Sequence, residues 1–211
     1  MNFSGNFIYI RYNVITFMSF FNDTNKVGLA FIIVAILQMI GGLVTIILGA
    51  ISDDYELVPS VIVGIGSIIC ALLMFTYGKK VKDGVISQKI DILAEFVKVI
   101  GVVTIVGGIF GAIAEAAGDA GIGSAIISAI ISIIFGLIIL FIASKINDGK
   151  QTTGDKIIWI ILMIAFIICL IMAIVEIISI AGIITGICHL IIYIFMILLL
   201  TDKEVKAEMG M

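Results

Sequence analysis

The chain carries little of what a water-facing protein needs. Only 13% of its 211 residues are charged, about half the roughly 25% usual in soluble domains. There is one proline, Pro59, so long helices meet almost no breaker. The three cysteines, Cys70, Cys169 and Cys188, lie inside apolar runs without ligand spacing. Core packing is therefore their expected role. His189 is the only histidine, so a multi-histidine centre is excluded.

Other absences narrow the function. The net charge is −3 and no run of Lys or Arg is long enough to suggest nucleic acid. Ten-residue segments of alternating polarity, the mark of a membrane β-barrel, do not occur. No nucleophile–base constellation, phosphate-binding glycine loop or paired intramembrane carboxylate is present. The expectation is therefore a protein that is not an enzyme and takes no cofactor or metal. Met1 to Phe21 lacks a basic start and a small-residue cleavage pattern, so membrane entry is expected through the first spanning helix.

What is present is apolar: 62% of the residues, with mean hydropathy +1.33. This composition predicts an all-α integral membrane protein. From Ile157 to Leu200 only Glu176 and His189 interrupt the apolar run with a group that is charged near neutral pH. A straight helix over that stretch would measure about 66 Å, against a hydrocarbon core of about 30 Å. It must cross, turn between Glu176 and Gly182, and return.

Six transmembrane helices are expected, at Val27–Ile51, Leu57–Tyr77, Leu93–Ala114, Ile122–Ser144, Ile157–Val175 and Ser179–Leu200. They form a domain over 27–200. Residues 1–26, with Phe3, Phe7, Ile10, Val14, Phe17 and Phe21 at helical spacing, read as an N-terminal interfacial amphipathic helix; their aromatic and β-branched content also suits a strand. Residues 201–211 form a short tail. Ile86, Ile90, Leu93 and Val97 suggest that the 79–98 region extends the third helix into water as a stalk. All 12 Lys and Arg fall in the N-terminal segment, the 79–98 region, the 145–156 loop and the tail. The positive-inside rule then places the protein in the cell membrane, multi-pass, with both termini cytoplasmic.

The spans pair as three helical hairpins. Ala50-Ile51-Ser52-Asp53, Ala112-Ile113-Ala114-Glu115 and Ala173-Ile174-Val175-Glu176 repeat an Ala-Ile-x-acid pattern at near-equal spacing. Ile40-Gly41 with Val44-Thr45-Ile46 resembles Ile100-Gly101 with Val103-Thr104-Ile105. A parallel triplication about an axis along the membrane normal is the expectation. Asp53, Glu115 and Glu176 would then form an outer acidic ring that attracts cations, or be simply the polar residues that turns in water require. Small-residue stripes, Ser124, Ser128, Ser132 and Gly136 in the fourth span, Gly107 and Gly111 in the third, Gly182 and Gly186 in the sixth, mark expected helix packing.

One intramembrane pair is predicted. Gln38 and His189 each lie eleven residues from the inner edge of their spans, about 16 Å deep. Each is costly there without a partner, so the two are expected to meet, with Thr185 and Tyr193 extending the polar seam. The expected function is a structural or accessory subunit that binds a protein partner, or a second copy in a homo-oligomer, through its helices and cytoplasmic face. The alternative is a channel or transporter for a small solute or ion, with His189 and neighbouring polar groups on the path. The first expects a dry bundle and the second a polar route.

Overall fold

The structure, a computed structural model, describes residues 23–51, 56–118, 121–146, 148, 152–178 and 183–211. Residues 1–22, Asp53 and Gly182 lie outside them, so the expected interfacial helix and two expected site positions do too. The described residues form helices only: α1 Thr24–Ile51, α2 Leu57–Lys82, α3 Lys89–Ala117, α4 Ile122–Ile146, α5 Thr153–Ile178, α6 Ile183–Thr201 and the short α7 Lys203–Glu208. By length and composition α1 to α5 are long and apolar enough to cross a membrane. α6 is apolar too but shorter, 19 residues. At 1.5 Å per residue that is about 28 Å, close to a hydrocarbon core.

Successive helices pack as hairpins, α1 along α2, α3 along α4 and α5 along α6, with α2 also against α3. Glycine sets the close approaches. A Cβ on Gly42 would lie 2.8 Å from the Gly64 carbonyl oxygen, and one on Gly101 would lie 3.1 Å from that of Gly136. In lipid no water is released between helices, so backbone proximity and dispersion hold them together. The outward faces remain apolar, as lipid requires; Ile126, Ile130, Ile134 and Phe141 of α4 are exposed.

Helix ends follow their local sequence. Asp23 accepts from the backbone N–H groups of Asn25 and Lys26 at 3.1 and 3.3 Å and so caps α1. At the start of α5 Asp155 makes the back half of a capping box: the Thr152 N–H donates to the buried Asp155 carboxylate at 2.6 Å, and the Thr152 hydroxyl does so at 2.9 Å. α2 closes at Gly84, φ +71°, with Gly84 N–H on the Val81 carbonyl and Val85 N–H on that of Lys80.

The 79–98 region corrects one expectation. α2 runs on to Lys82, the chain turns, and α3 begins at Lys89. Ile90, Leu93, Phe96 and Val97 are buried in the main core rather than carried on a stalk. Phe96 of this stripe packs on Phe31, which in turn meets Phe195, so burial in the bundle outweighs extension into water.

One end of the bundle gathers ion pairs: Lys80–Glu95 at 2.9 Å, Lys89–Asp202 at 2.7 Å and Lys145–Asp148 at 3.2 Å. The tail is tied to that end. Trp159 donates its indole N–H to the Leu200 carbonyl at 2.8 Å, and Lys206 sits over the Trp159 ring. Val205 and Met209 are buried.

Candidate functional site, a polar cavity within the bundle

Four helices, α1, α2, α3 and α6, line a partly open cavity of about 400 Å³. Its polar wall is Gln38 and Thr45 from α1, Ser67 and Cys70 from α2, Thr104 from α3, and His189 and Tyr193 from α6. In water these groups would be unremarkable, but between apolar helices each needs a partner. Thr45 donates its hydroxyl to the Gly41 carbonyl at 3.0 Å, and Thr104 to that of Ile100 at 2.8 Å. Both are bonds back to the preceding helical turn. They use up the hydroxyl protons and leave oxygen lone pairs as acceptors.

The structure brings Gln38 and His189 face to face, Nε2 to Nε2 at 3.5 Å, a long contact. The stronger contact is on the other ring nitrogen. His189 Nδ1 lies 2.8 Å from Glu176 Oε2, with the two side chains 32% and 35% exposed. A carboxylate only accepts, so the tautomer that joins all three residues carries its proton on Nδ1 and leaves Nε2 to accept from the Gln38 amide. Glu176, His189 and Gln38 thus form one chain from α5 through α6 to α1. Tyr193 stacks beyond it, its ring centroid 6.0 Å from that of His189.

The contact between Glu176 and His189 is not among the expectations drawn from the sequence, which sets Glu176 at an outer turn. α5 instead continues to Ile178 before the chain returns. Gly186 admits the close approach, since a Cβ there would lie 2.7 Å from Ile177 Cγ1 and 3.0 Å from the Ala173 carbonyl oxygen. His189, one turn further on, is thereby brought beside Glu176. The signal was available: the two are 13 residues apart across a tight hairpin.

Toward the end that holds the ion pairs, the cavity gives way to aromatic packing. Phe31 lies 4.9 Å from Tyr77, 5.7 Å from Phe96 and 5.5 Å from Phe195, centroid to centroid. All four are almost fully buried. The Tyr77 hydroxyl donates to the Ile92 carbonyl at 3.0 Å. Phe31 is two helical turns from Gln38 on the same face of α1, and Tyr77 two turns from Cys70 on α2. A polar chamber therefore sits on an aromatic floor.

The other expected positions are placed as follows. Glu115 is half-buried in the last turns of α3. In α4, Ser132 meets Gly108, and Gly136 meets Gly101 and Ile105, so these two face α3. Ser124 is exposed and donates to the Gly121 carbonyl at 2.8 Å, and Ser128 is half-buried. Gly107 lies toward Cys70 of α2, whereas a Cβ at Gly111 would meet nothing within 4 Å. Gly186 is at a crossing. Among the described residues no three His, Cys, Asp or Glu side chains converge as metal ligands would.

These features define a class: an all-helical protein with long apolar helices, compatible with a helical membrane protein. No known protein family matches the chain, and neither does any curated protein or solved structure.

Proposed function

We propose that the protein is a six-span membrane protein that lets a small polar or cationic solute enter the bundle and pass through it. The carrying observation is the polar cavity with Gln38 and His189 on its wall and Glu176 behind His189. A chargeable pair at such a position is costly unless it serves passage or binding. α6 supplies the sixth span, both termini face the cytoplasm, and the three hairpins are copies of one unit. The cell membrane is its site. The aromatic floor of Phe31, Tyr77, Phe96 and Phe195 closes the path on the cytoplasmic side and must move for solute to cross.

The second reading is a structural or accessory subunit. It draws on α4, which buries only Ala125, Gly136, Ala143 and Ile146 against its own chain, leaving a broad face for a partner helix or a second copy. It expects a dry bundle, and the polar chamber weighs against it. Purified protein in liposomes loaded with a pH-sensitive dye decides between them. Under an imposed gradient of potassium, sodium or ammonium, permeation predicts a flux above that of empty liposomes, reduced by His189→Ala. Flux equal to that of empty liposomes overturns the proposal.

A further inference from the structure

Three helices end their apolar runs with a lysine at the same end of the bundle. No charged residue lies in α2 before Lys79, in α3 between Lys98 and Glu115, or in α4 before Lys145. Lys79, Lys98 and Lys145 therefore mark one level, the depth at which lipid headgroups meet the protein. A groove of about 660 Å³ opens there. Its walls include Lys80 from α2, Ile86 from the turn, Glu95 and Lys98 from α3, and Leu140 and Ser144 from α4. It is separate from the polar cavity and shares no residue with it.

Charge in the groove is uneven. Lys80 lies 2.9 Å and Lys98 3.5 Å from the same carboxylate, that of Glu95. Two ammonium groups thus share one negative charge. The Lys98 side chain is 60% exposed, so it keeps N–H groups to donate. Other lysines at this end are matched or outnumbered: Lys26 has Asp23, and Lys89 has both Asp202 and Glu204. Asp91 also borders the groove, but it stands about 10 Å from Lys98 along α3, toward water, and has an interaction of its own. On the membrane side of the groove the surface turns apolar. Leu137 and Ile133, one and two turns deeper than Leu140 on α4, are both exposed.

We propose that this groove seats one anionic phospholipid of the cytoplasmic leaflet, with its phosphate on Lys80 and Lys98 and an acyl chain along Leu137 and Ile133. The inference rests on the membrane orientation above and is independent of solute passage. The excess ammonium group selects the negative headgroup. A choline headgroup carries the same phosphate but brings a cation that balances it, so it gains less. The apolar continuation along α4 selects a lipid over free phosphate, which would leave that surface unused.

Native mass spectrometry of the full chain in detergent, titrated with phosphatidylglycerol or phosphatidylcholine of equal chain length, reads the first lipid bound. Wild type is expected to prefer phosphatidylglycerol, and Lys98→Gln should lower that preference about fivefold. Glu95→Gln supplies the sign: with the shared carboxylate gone both ammonium groups turn to the phosphate, and the preference should rise. Lys26→Gln removes a lysine at the same end but outside the groove, and should leave the preference unchanged. Each variant's affinity for phosphatidylcholine is its own reference, so altered folding does not mimic lost recognition. Absence of a preference in wild type overturns the site. So does a preference that survives Lys98→Gln, that Glu95→Gln lowers, or that Lys26→Gln weakens as much as Lys98→Gln. Glycerol phosphate that displaces phosphatidylglycerol at equal concentration assigns the groove to free phosphate and overturns the lipid. The preference without flux in the liposome assay keeps this site and overturns passage; flux without the preference does the reverse.

Discussion

Replacing Gly136 by Ala probes the packing that positions every helix of the cavity. A Cβ at Gly136 would overlap Ile105 Cγ1, lie 3.0 Å from Ile105 Cδ1 and 2.9 Å from the Gly101 carbonyl oxygen. The last of these is backbone on the facing helix, so a rotamer change cannot relieve it. Overpacking of this kind costs about 1–3 kcal/mol, and the helix-propensity gain of Ala over Gly returns about 0.5–1. The expected net loss is about 1–2 kcal/mol. Gly111→Ala is the control. Its Cβ meets nothing within 4 Å, so only the propensity term acts and a gain of about 0.5–1 kcal/mol is expected. Reversible unfolding in detergent, with both variants beside wild type, reads the order directly. Gly136→Ala should fall below wild type and Gly111→Ala should rise above it. If Gly136→Ala were as stable as Gly111→Ala, the two helices would not approach at Gly101 and Gly136.

Other outcomes follow from the same contacts. In intact cells, Asp54→Cys should react with an impermeant thiol reagent and Asn147→Cys should not; the opposite pattern inverts the orientation. Burial alone would raise the Asp202 carboxyl, but the Lys89 ammonium and the backbone N–H groups of Glu204 and Val205 hold it below its ordinary 3.8. Its stabilisation is thus complete above the ordinary carboxylate range and lost as pH falls through the lowered value. Asp202→Asn keeps a capping group, so its cost of about 0.5–1 kcal/mol at neutral pH should shrink toward zero in acid; a constant cost would mean the ion pair contributes nothing. Trp159→Phe removes the indole bond to the Leu200 carbonyl and should destabilise by about 0.5–1.5 kcal/mol, checked by the same unfolding assay.

The helices were legible because apolar runs of membrane length admit few alternatives, and the α1–α2 and α3–α4 boundaries fall within a few residues of those expected. The facing of Gln38 and His189 could be anticipated from depth alone, since two costly groups at one level have few other partners. Glu176 could not be placed that way. Whether an acid near a turn faces water or the bundle depends on where the helix ends, and α5 ends two residues beyond it. The repeat pattern shows the same limit. Ala-Ile-x-acid is a match of adjacent residues, whereas the crossings depend on which glycine meets which carbonyl across the hairpin. The 79–98 stripe read as a stalk because periodicity shows that a face is apolar but not what covers it.

Because His189 is the only histidine, its imidazole can be observed alone. Nitrogen NMR of the histidine-labelled protein in lipid bilayers at neutral pH tests whether the Glu176–His189–Gln38 chain forms inside the membrane. The expected spectrum has a hydrogen-bonded proton on Nδ1, and that signal moves when Glu176 is replaced by Gln. A ring protonated on Nε2 alone, with a bare Nδ1 and no response to Glu176→Gln, would contradict the chain and with it the site.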